Sequence, residues 1–445
     1  MQDPETIVIG AGAAGLAAAR TLSDAGRTVT VLEARPRIGG RILTVHDREW
    51  PLPVELGPEF LHGEAEATRE IARRAGLAVV EVPDEHVWTE DGRIRPMGEV
   101  WTQLGKALRK IDTRAADVSL ETFLARHRVP GPTRALARHF VEGYYAAHVD
   151  RVSAHSLASG AEEMEEPQRQ YRLADGYFGV VEWLRAGLDP ERAQVRLGCI
   201  VEEVRWRRGT VEVAYRSAAS PRTRRLEARR AVVTLPLGVL KAQDGEPGAV
   251  RFDPMPPVLK NALDRLEVSQ VCKLVLRFRE PFWDETGFFR RRASRGAGVR
   301  IDFLHDRTGD FPTWWAVRPW QAPMMTAWAG GPRADVLAEL GEAALVDRAL
   351  AGLGRLLDVP RPRLEDQLES WRTHDWRRDP YSRGAYSYVG VGGLPAQRAL
   401  GRPAEATLYF AGETTEPDEM GTVAGALVSG RRAARQILKT PARSR

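Results

Sequence analysis

Cysteine, lysine and long apolar runs are all scarce in this chain. Cys199 and Cys272 are the only cysteines among 445 residues. They are too few for a disulfide framework or a thiolate metal site, so we expect no metal and a reducing, cytoplasmic setting. No apolar run reaches about 18 residues, which predicts a soluble protein without a membrane span. The first apolar segment, residues 6–9, lies so near the first residue that we expect no signal peptide.

A strong excess of charge is also missing. The net charge is +5 over 445 residues. The basic runs, such as Arg222–Arg230 and Arg290–Arg295, belong to no nucleic-acid-binding motif and contain no row of aromatic side chains for stacking. We interpret these runs as solvated surface and predict no nucleic-acid partner. The chain has no internal repeat and is long enough for two or more cores.

The shortage of lysine draws attention to one position. Lysine supplies only six of the 65 basic side chains, and Lys273 lies in the apolar segment VCKLVLRFREPFW. Alternation along a strand places Lys273 on one face with Val271, Val275 and Arg277. Lysines on strands usually face water. This chain uses arginine at almost every other basic position, however, so a lysine here indicates that a compact ammonium is needed. The pattern leaves both interpretations open, a surface residue or part of a reactive site.

The first forty residues have the pattern of a dinucleotide-binding βαβ unit. We predict a strand over 5–9, a helix over 13–25 and a strand over 28–32, with Gly10, Gly12 and Gly15 in the first turn and Glu33 after the second strand. Such glycines let the backbone approach a pyrophosphate at a helix N-terminus, and the acidic residue binds ribose hydroxyls. The segment ARPRIGGR then adds a second glycine turn with cationic neighbours. The dinucleotide is either FAD or NAD.

Farther along the chain, helical and strand patterns alternate in separated blocks. The predicted elements are helices over 100–111, 120–127 and 134–147, a hairpin over 200–206 and 210–215, a strand over 230–236, a helix over 257–266, strand-like sequence over 314–328, a helix over 334–357, a strand over 408–411 and a helix over 422–438. This order predicts a nucleotide domain built from separated segments with a second domain inserted between them. Four tryptophans either line the substrate pocket or fill the core: Trp314, Trp315, Trp320 and Trp328.

Seven segments, in order along nearly the whole chain, resemble the FAD-dependent amine oxidase family, on the branch of the polyamine oxidases and lysine-specific histone demethylases. The segments are IVIGAGAAGLAAARTL, VLEARPRIGGR, VELGPEFLHG, AVVTLPLGVLK, VCKLVLRFREPFW, DPYSRGAYSY and LYFAGETTEPDEMGTVAGALVSGRRAA. The resemblance implies an α/β fold, with a Rossmann-like FAD-binding domain of discontinuous segments and an inserted α+β substrate domain. We expect residues 1–85, 195–250 and 370–445 in the first domain, and residues 86–194 and 251–369 in the second.

The resemblance also implies which residues hold FAD. They are Gly10, Gly12, Ala13, Ala14, Gly15, Glu33, Ala34, Arg35, Gly39, Gly40, Arg41, Leu56, Gly57, Pro58, Glu59, Val201, Thr234, Trp376, Tyr381, Gly412, Glu413, Gly421, Thr422 and Val423. The first glycines and Glu33 would hold the pyrophosphate and adenosine ribose, and the second glycine turn would continue along the phosphates and ribityl chain. Val201 would contact adenine, and the helix that begins near Thr422 would direct its N-terminal amides at the flavin pyrimidine edge.

The substrate site implied by the resemblance lies in front of the flavin. Tyr386 matches an aromatic residue beside the substrate amine, and His62 matches a histidine of several polyamine oxidases near that amine. Thr422 stands where monoamine oxidases carry tyrosine, as is typical of the polyamine oxidase and demethylase branch. Glu59 and an acidic cluster could attract a cationic amine to the entrance, although charge runs are usually only solvated surface. The cluster is formed by Glu162, Glu163, Glu165 and Glu166.

Two positions differ from related oxidases. Ala385 stands where monoamine oxidases carry the cysteine that bonds the flavin, so we expect FAD to be bound non-covalently. Phe60 stands where amino-acid oxidases carry an arginine that binds the substrate carboxylate, which weakens an amino-acid substrate. Lys273 matches the lysine that reaches flavin N5 through a water, and we assign it a catalytic role in reoxidation by oxygen.

The expected reaction is therefore the oxidation of a primary or secondary amine, polyamine-like or monoamine, with transfer of hydride to flavin N5. The imine hydrolyses to an aldehyde, and O2 is reduced to hydrogen peroxide. The alternatives are an L-amino-acid oxidase of the same superfamily, an NAD-dependent dehydrogenase and a flavoprotein without turnover. The amine itself and the oligomeric state are not predicted.

Overall fold

Two large sheets and the helices packed on them make up the fold in a computed structural model, which describes residues 4–90, 93–97, 105–159, 169–217, 220–284 and 302–440. The helices are Ala13–Asp24, Glu66–Ala75, Leu120–Arg126, Gly131–Gly143, Ala154–Ser159, Phe178–Ala186, Leu237–Leu240, Pro257–Arg265, Pro332–Leu337, Glu342–Leu357, Arg361–Gln367, Leu394–Leu400 and Val423–Lys439, with 3₁₀ turns at Phe282–Asp284 and Glu413–Thr415. Within these ranges, every helix is too short or too polar to cross a membrane.

The first large sheet has five parallel strands. In spatial order they are Ala193–Arg196, Val29–Leu32, Thr6–Ile9, Arg230–Val233 and Leu408–Phe410. The inner strands are mostly apolar and almost wholly buried because both of their faces are covered. The helices Ala13–Asp24 and Val423–Lys439 cover one face, where Val8 and Val232 are buried. Parallel strands end at the same edge, so the loops after Ile9 and its neighbours converge there.

A four-stranded sheet covers the other face of the parallel sheet. Its strands, in spatial order, are Ser220–Ala228, Thr210–Ser217, Cys199–Arg207 and Arg251–Asp253. The middle two form the antiparallel hairpin that the sequence predicts, closed at Arg207 and Thr210. Val204 and Val213 of this hairpin pack against Ile7 of the parallel sheet. The parallel sheet is therefore sandwiched between helices and a second sheet.

The second large sheet has seven strands: Leu368–Thr373, Val271–Phe278, Met324–Gly330, Thr313–Ala316, Phe303–His305, His86–Glu90 and Arg93–Pro96, in spatial order. The strand that carries Lys273 is antiparallel to both of its neighbours. Its face with Leu274 packs on the helix Glu342–Leu357. Its face with Val275 packs against Leu56 from the N-terminal region. Both faces of the Lys273 strand are covered, so periodicity alone could not tell whether Lys273 faces water.

Three small sheets also lie within the described part of the chain. They pair Thr44–Val45 with Val54–Glu55, Leu266–Val268 with Ser387–Val389, and Gln170–Leu173 with both Leu61–His62 and Val79–Val82. The last of these sets Leu61 opposite Tyr171 and His62 opposite Gln170. This pairing brings the segment around residue 172 beside the segment around residue 60, although more than a hundred residues separate them.

Some predicted elements differ from the structure. The single helix predicted over 334–357 is wrong, because the chain forms two helices, Pro332–Leu337 and Glu342–Leu357, separated at Gly341, which caps the second. The strand-like sequence over 314–328 is two strands separated by a turn that contains Pro319 and Pro323. Prolines cannot donate to a ladder, so the strand stops there. The acidic cluster at 162–166, the basic run at 290–295 and the start of the helix predicted over 100–111 lie outside the described residues.

Candidate active site

The first glycine turn closes tightly around its own backbone. Gly10 has a φ of +105°, and a Cβ on Gly15 would lie 1.9 Å from the Gly10 carbonyl oxygen, so only glycine fits at either position. The N–H of Ala11 donates to Glu33 Oε2 at 2.7 Å, and the N–H of Arg35 donates to Oε1 at 2.9 Å. A carboxylate has about four acceptor positions. Glu33 therefore braces the turn and retains capacity to accept from ribose hydroxyls.

The second glycine turn lies directly on the first. The Gly39 N–H donates to the Ala11 carbonyl at 2.9 Å, and Gly12 and Gly39 form a β-bridge. A Cβ on Gly40 would lie 3.4 Å from the Cα of Gly12. Because both turns expose backbone rather than side chains at this contact, they form a smooth channel of the kind that a pyrophosphate approaches.

Both predicted arginines beyond this channel are held by carboxylates. Arg35 Nη2 donates to Asp379 Oδ1 at 2.7 Å and to Ser382 Oγ at 2.9 Å. Burial alone raises the pKa of Asp379, but hydrogen bonds from His374 and Arg35 outweigh it and hold the pKa well below its usual range. Arg35 also lies over the ring of Tyr381, with Cζ 5.4 Å from its centre. Arg35 thus supports the wall of the channel, because it holds the segment 379–382 in place.

Arg41 connects this channel to the C-terminal segment. Its Nη1 donates to the Ala385 carbonyl at 2.6 Å and to Glu413 Oε1 at 2.9 Å. The other oxygen of Glu413 accepts from Ser387 Oγ at 2.6 Å. A Cβ on Gly57 would lie 2.0 Å from the Arg41 carbonyl oxygen. The second glycine turn, Gly57 and Glu413 therefore form one continuous surface.

The helix Val423–Lys439 begins beside that surface. Thr422 caps it, accepting from the Gly425 N–H at 2.9 Å. The N–H groups of Val423 and Ala424, at its first two positions, have no intrahelical acceptor by geometry, and they place a partial positive charge at this end. Gly421 has a φ of +78°, and a Cβ there would lie 3.4 Å from the ring of Tyr386. The ring of the predicted substrate tyrosine therefore lies beside the turn that leads into the predicted flavin-facing helix end.

Lys273 lies at the end of this surface and is only 4% exposed. Its Nζ donates to Glu59 Oε2 at 2.7 Å and to the Gly57 carbonyl at 3.3 Å, and it lies 5.7 Å from the centre of the Trp315 ring. Trp376 supports the same turn by donating its indole N–H to the Leu56 carbonyl at 2.8 Å. The interpretation of Lys273 as a solvated surface residue is therefore wrong, because the segment 56–59 covers its face of the sheet.

Aromatic rings line the space near Lys273 and Tyr386. Phe60 lies 5.5 Å from Trp315 and 6.0 Å from His62, and His62 lies 5.5 Å from Tyr144, between ring centres. The Tyr386 hydroxyl donates to the Tyr144 carbonyl at 2.9 Å. Burial lowers the pKa of His62 to about 4. Burial, with Tyr144 next in effect, raises the pKa of the Tyr386 hydroxyl. These rings are thus uncharged at neutral pH, and the charged groups of Lys273 and Glu59 lie next to Trp315.

Comparison with known proteins decides the family. Residues 13–438 match the family model described as flavin containing amine oxidoreductase. The chain belongs to this family. Its α/β fold and its cofactor, FAD, are those that the resemblance predicts, so the choice between FAD and NAD left by the glycine pattern is resolved. The expected oxidoreductase class is confirmed with it.

Several relatives of this amine oxidoreductase match over most of their length. Polyamine oxidase 2 of Arabidopsis thaliana is 29% identical, over 97% of this chain and 88% of that protein. Polyamine oxidase 3 of Oryza sativa subsp. japonica is 30% identical, over 97% of this chain and 89% of that protein. Among solved structures, wild-type putrescine oxidase bound to putrescine has a TM-score of 0.80, and cyclohexylamine oxidase from Brevibacterium oxydans IH-35A has 0.78. Each is 20% identical, over 98% of this chain and 99% of that chain, and supports the fold.

The residues present in this amine oxidoreductase fit FAD. A Cβ on Gly12 would approach only the Gly39 carbonyl oxygen, at 4.0 Å, and a Cβ on Gly412 would meet nothing within 4 Å. Open backbone at these points matches a long, anionic dinucleotide, and the helix end at Val423 matches an anionic ring edge. Thr234 supports the first turn, since its Oγ1 donates to the Ile9 carbonyl at 2.8 Å. Val201 is buried with Ile9 in the apolar core, and its contact with adenine stays a prediction.

Sequence reasoning missed Arg172, and it placed Glu59 in a different role. Arg172 Nη2 lies 3.1 Å from Glu59 Oε1, close enough for charge attraction but without hydrogen-bond alignment, and its Cζ lies 4.9 Å from the centre of the Phe60 ring. The indole N–H of Trp315 donates to the same Oε1 at 3.0 Å. Trp314, in contrast, fills the core. No local pattern marks Arg172, because its partners are distant in the chain.

Proposed function

We propose that this amine oxidoreductase is an FAD-dependent oxidase of small primary or secondary amines, of the polyamine or monoamine type. The amine becomes an imine, which hydrolyses to an aldehyde, and O2 becomes hydrogen peroxide. One observation carries the proposal: a continuous surface joins the glycine turns to Lys273 on one side and to Tyr386 on the other. The aromatic rings beside it, such as His62 and Tyr144, are the wall of the substrate pocket in this proposal. The relatives named as polyamine oxidases support an amine with more than one nitrogen.

The pocket suits an amine that must lose its proton before oxidation. An ammonium has no lone pair with which to form an imine, and burial among rings such as Phe60 and Tyr386 disfavours the charged form of the substrate. His62, whose pKa burial lowers to about 4, is neutral at physiological pH and so does not repel an approaching ammonium. The wall therefore favours the neutral amine without a strong protein base.

Bound FAD supplies the acceptor for the hydride from the carbon beside nitrogen and passes both electrons to oxygen. Gly10, Gly39 and the helix end at Val423 would hold it. The buried ammonium of Lys273 would stabilise negative charge that develops on oxygen, which is the kind of preorganised charge that accelerates a step most. Ala385 carries no thiol, so FAD would be held by non-covalent contacts alone.

An amino-acid substrate is disfavoured by the charges near position 60. An arginine does lie against Phe60, namely Arg172, but Glu59 already lies beside its guanidinium. A substrate carboxylate would have to displace that partner or remain unpaired, which costs binding free energy. Amines without a carboxylate avoid this cost.

A peroxide-coupled screen of the FAD-loaded protein tests the proposal. Monoamines, diamines, polyamines and L-amino acids are supplied at equal concentration, and bleaching of the flavin without oxygen is recorded for each. We expect peroxide and bleaching with amines, and much less with amino acids. Turnover of amino acids alone would favour the amino-acid oxidase, and the absence of both signals with every compound would favour a flavoprotein without turnover.

A further inference from the structure

Glu59 is surrounded by polar groups of the protein itself. Its Oε2 accepts from Lys273 Nζ at 2.7 Å, and its Oε1 accepts from the Trp315 indole N–H at 3.0 Å. Arg172 Nη2 lies 3.1 Å from Oε1. Lys273 and Arg172 are each 4% exposed. Glu59 thus lies inside the protein between two cations, rather than at an entrance where it would meet a free amine.

The charges of this group do not cancel. Burial alone raises the pKa of Glu59, but the charges of Lys273 and Arg172 outweigh it and hold the pKa below its ordinary value. Glu59, Lys273 and Arg172 together carry a net charge of about +1. A second carboxyl, Glu55, also acts on both cations, and burial, opposed by the hydrogen bond from the Tyr177 N–H and by the charge of Lys273, raises its pKa to about 7. An isolated buried ammonium would tend to lose its proton. The carboxylate of Glu59 opposes that loss, and the second cation prevents complete neutralisation.

The geometry also fixes the position of the Lys273 ammonium. An ammonium has three N–H donors, and two of them are directed to Glu59 Oε2 and the Gly57 carbonyl. Gly57 belongs to the surface that would hold FAD, since it lies against the Arg41 carbonyl. Within the described ranges these are the hydrogen bonds of Lys273 Nζ, so a third donor would remain for the reaction.

We propose that Glu59 is a positioning residue that holds Lys273 as an ammonium beside the flavin site, while Arg172 prevents Glu59 from cancelling the positive charge there. The catalytic use of that ammonium rests on the proposed function, whereas the protonation of Lys273 does not. Glu59 therefore acts through Lys273 and need not contact the substrate.

The test compares the variants Glu59→Gln, Glu59→Asp and Arg172→Met. Carbon-13-labelled lysine is followed by NMR against pH, with and without FAD, and the signal of Lys273 is assigned by its loss in Lys273→Met. Six lysines in the whole chain keep this spectrum simple. In the FAD-loaded protein, the pH profile of flavin reoxidation by oxygen is measured alongside. Glu55→Gln is the matched comparison, because Glu55 is a buried carboxyl that also feels the charge of Lys273 but accepts its hydrogen bonds from Thr44 Oγ1 and the Tyr177 N–H.

We expect Glu59→Gln to move the midpoint of the Lys273 signal down by about one pH unit or more, because the carboxylate that lies next to both cations is then lost. A shift of one pH unit means that Lys273 holds its proton about tenfold less tightly. The reoxidation profile should move with it, and Glu59→Asp should restore part of both shifts. Arg172→Met should move the midpoint the other way, and Glu55→Gln should move it far less than Glu59→Gln.

An unchanged Lys273 midpoint in Glu59→Gln would overturn the proposal, whatever the activity. If Glu59→Gln does not fold, a downward shift in Arg172→Met would overturn it equally. A Lys273 midpoint that moves as expected in a protein that oxidises no amine would contradict the proposed function alone.

Discussion

Replacing Lys273 with methionine removes one charge and two hydrogen bonds from a buried position while keeping most of the side-chain volume. The lost contacts are those to Glu59 at 2.7 Å and to the Gly57 carbonyl at 3.3 Å. Removing one member of a buried ion pair usually destabilises a protein by about 3–5 kcal/mol, since the other charge is left unpaired. Here Arg172 and Trp315 still surround Glu59. We therefore expect a loss of about 2–3 kcal/mol, near the value of a charged hydrogen bond.

The kinetic effect of Lys273→Met should fall on one half of the reaction. Losing a preorganised charge next to developing negative charge costs about 10²-fold to 10³-fold in rate, so flavin reoxidation by oxygen should slow by about that factor. Anaerobic reduction by the amine should change far less, because the hydride leaves a neutral amine. Stopped-flow absorbance of the flavin separates the two half-reactions.

The control is the same substitution at an exposed lysine, Lys260→Met, on the helix Pro257–Arg265. This variant should match the wild type in both half-reactions. Reoxidation of Lys273→Met at the wild-type rate would refute the catalytic role. Equal slowing of both half-reactions would show that the substitution disturbs the pocket as a whole.

Three further predictions follow from the structure. Gly15→Ala should abolish FAD binding, because its Cβ would lie 1.9 Å from the Gly10 carbonyl oxygen. Titration of the protein with FAD checks this. The control variant Gly341→Ala should bind FAD normally, because a Cβ at Gly341 meets nothing within 4 Å. Acid precipitation should release the yellow colour into the supernatant, because position 385 is alanine; colour that stays in the pellet would contradict non-covalent binding. Stability should fall as pH drops below about 6.5, and His139→Phe should reduce this slope in denaturant titrations.

The sign of the pH effect follows from linkage. Burial lowers the pKa of His139 to about 4 and lowers the pKa of His305 well below its usual value. Below pH 6.5 the unfolded chain binds protons that the folded chain does not, so stability falls by about 1.4 kcal/mol per pH unit for each such group. His139 Nε2 is also buried without a hydrogen-bond partner in the described structure. A slope identical in the variant would show that His139 is solvated.

The nucleotide half of the site is largely readable from the chain. The glycines at 10, 12 and 15 and the carboxylate of Glu33 lie within one βαβ unit, and steric contact between near neighbours decides their geometry. The same holds for the hairpin closed between Arg207 and Thr210. The apolar pattern predicted one helix where the structure has two. The helical spacing of apolar residues continues across Gly341, although the chain turns there.

Local pattern determines which residues share a face, which turns require glycine and which helix end exposes free N–H groups, because those properties depend on neighbours a few residues away. Long-range packing determines what lies opposite each face. Lys273 and Glu59 are 214 residues apart in the chain, and Trp315 is 256 residues from Glu59. Alternation placed Lys273 on one side of a strand, and folding brought Glu59 and Arg172 to that side, which converts a surface lysine into a buried cation. Electrostatic and packing energies between distant segments depend on three-dimensional distance, and a strand's own sequence contains no information about it.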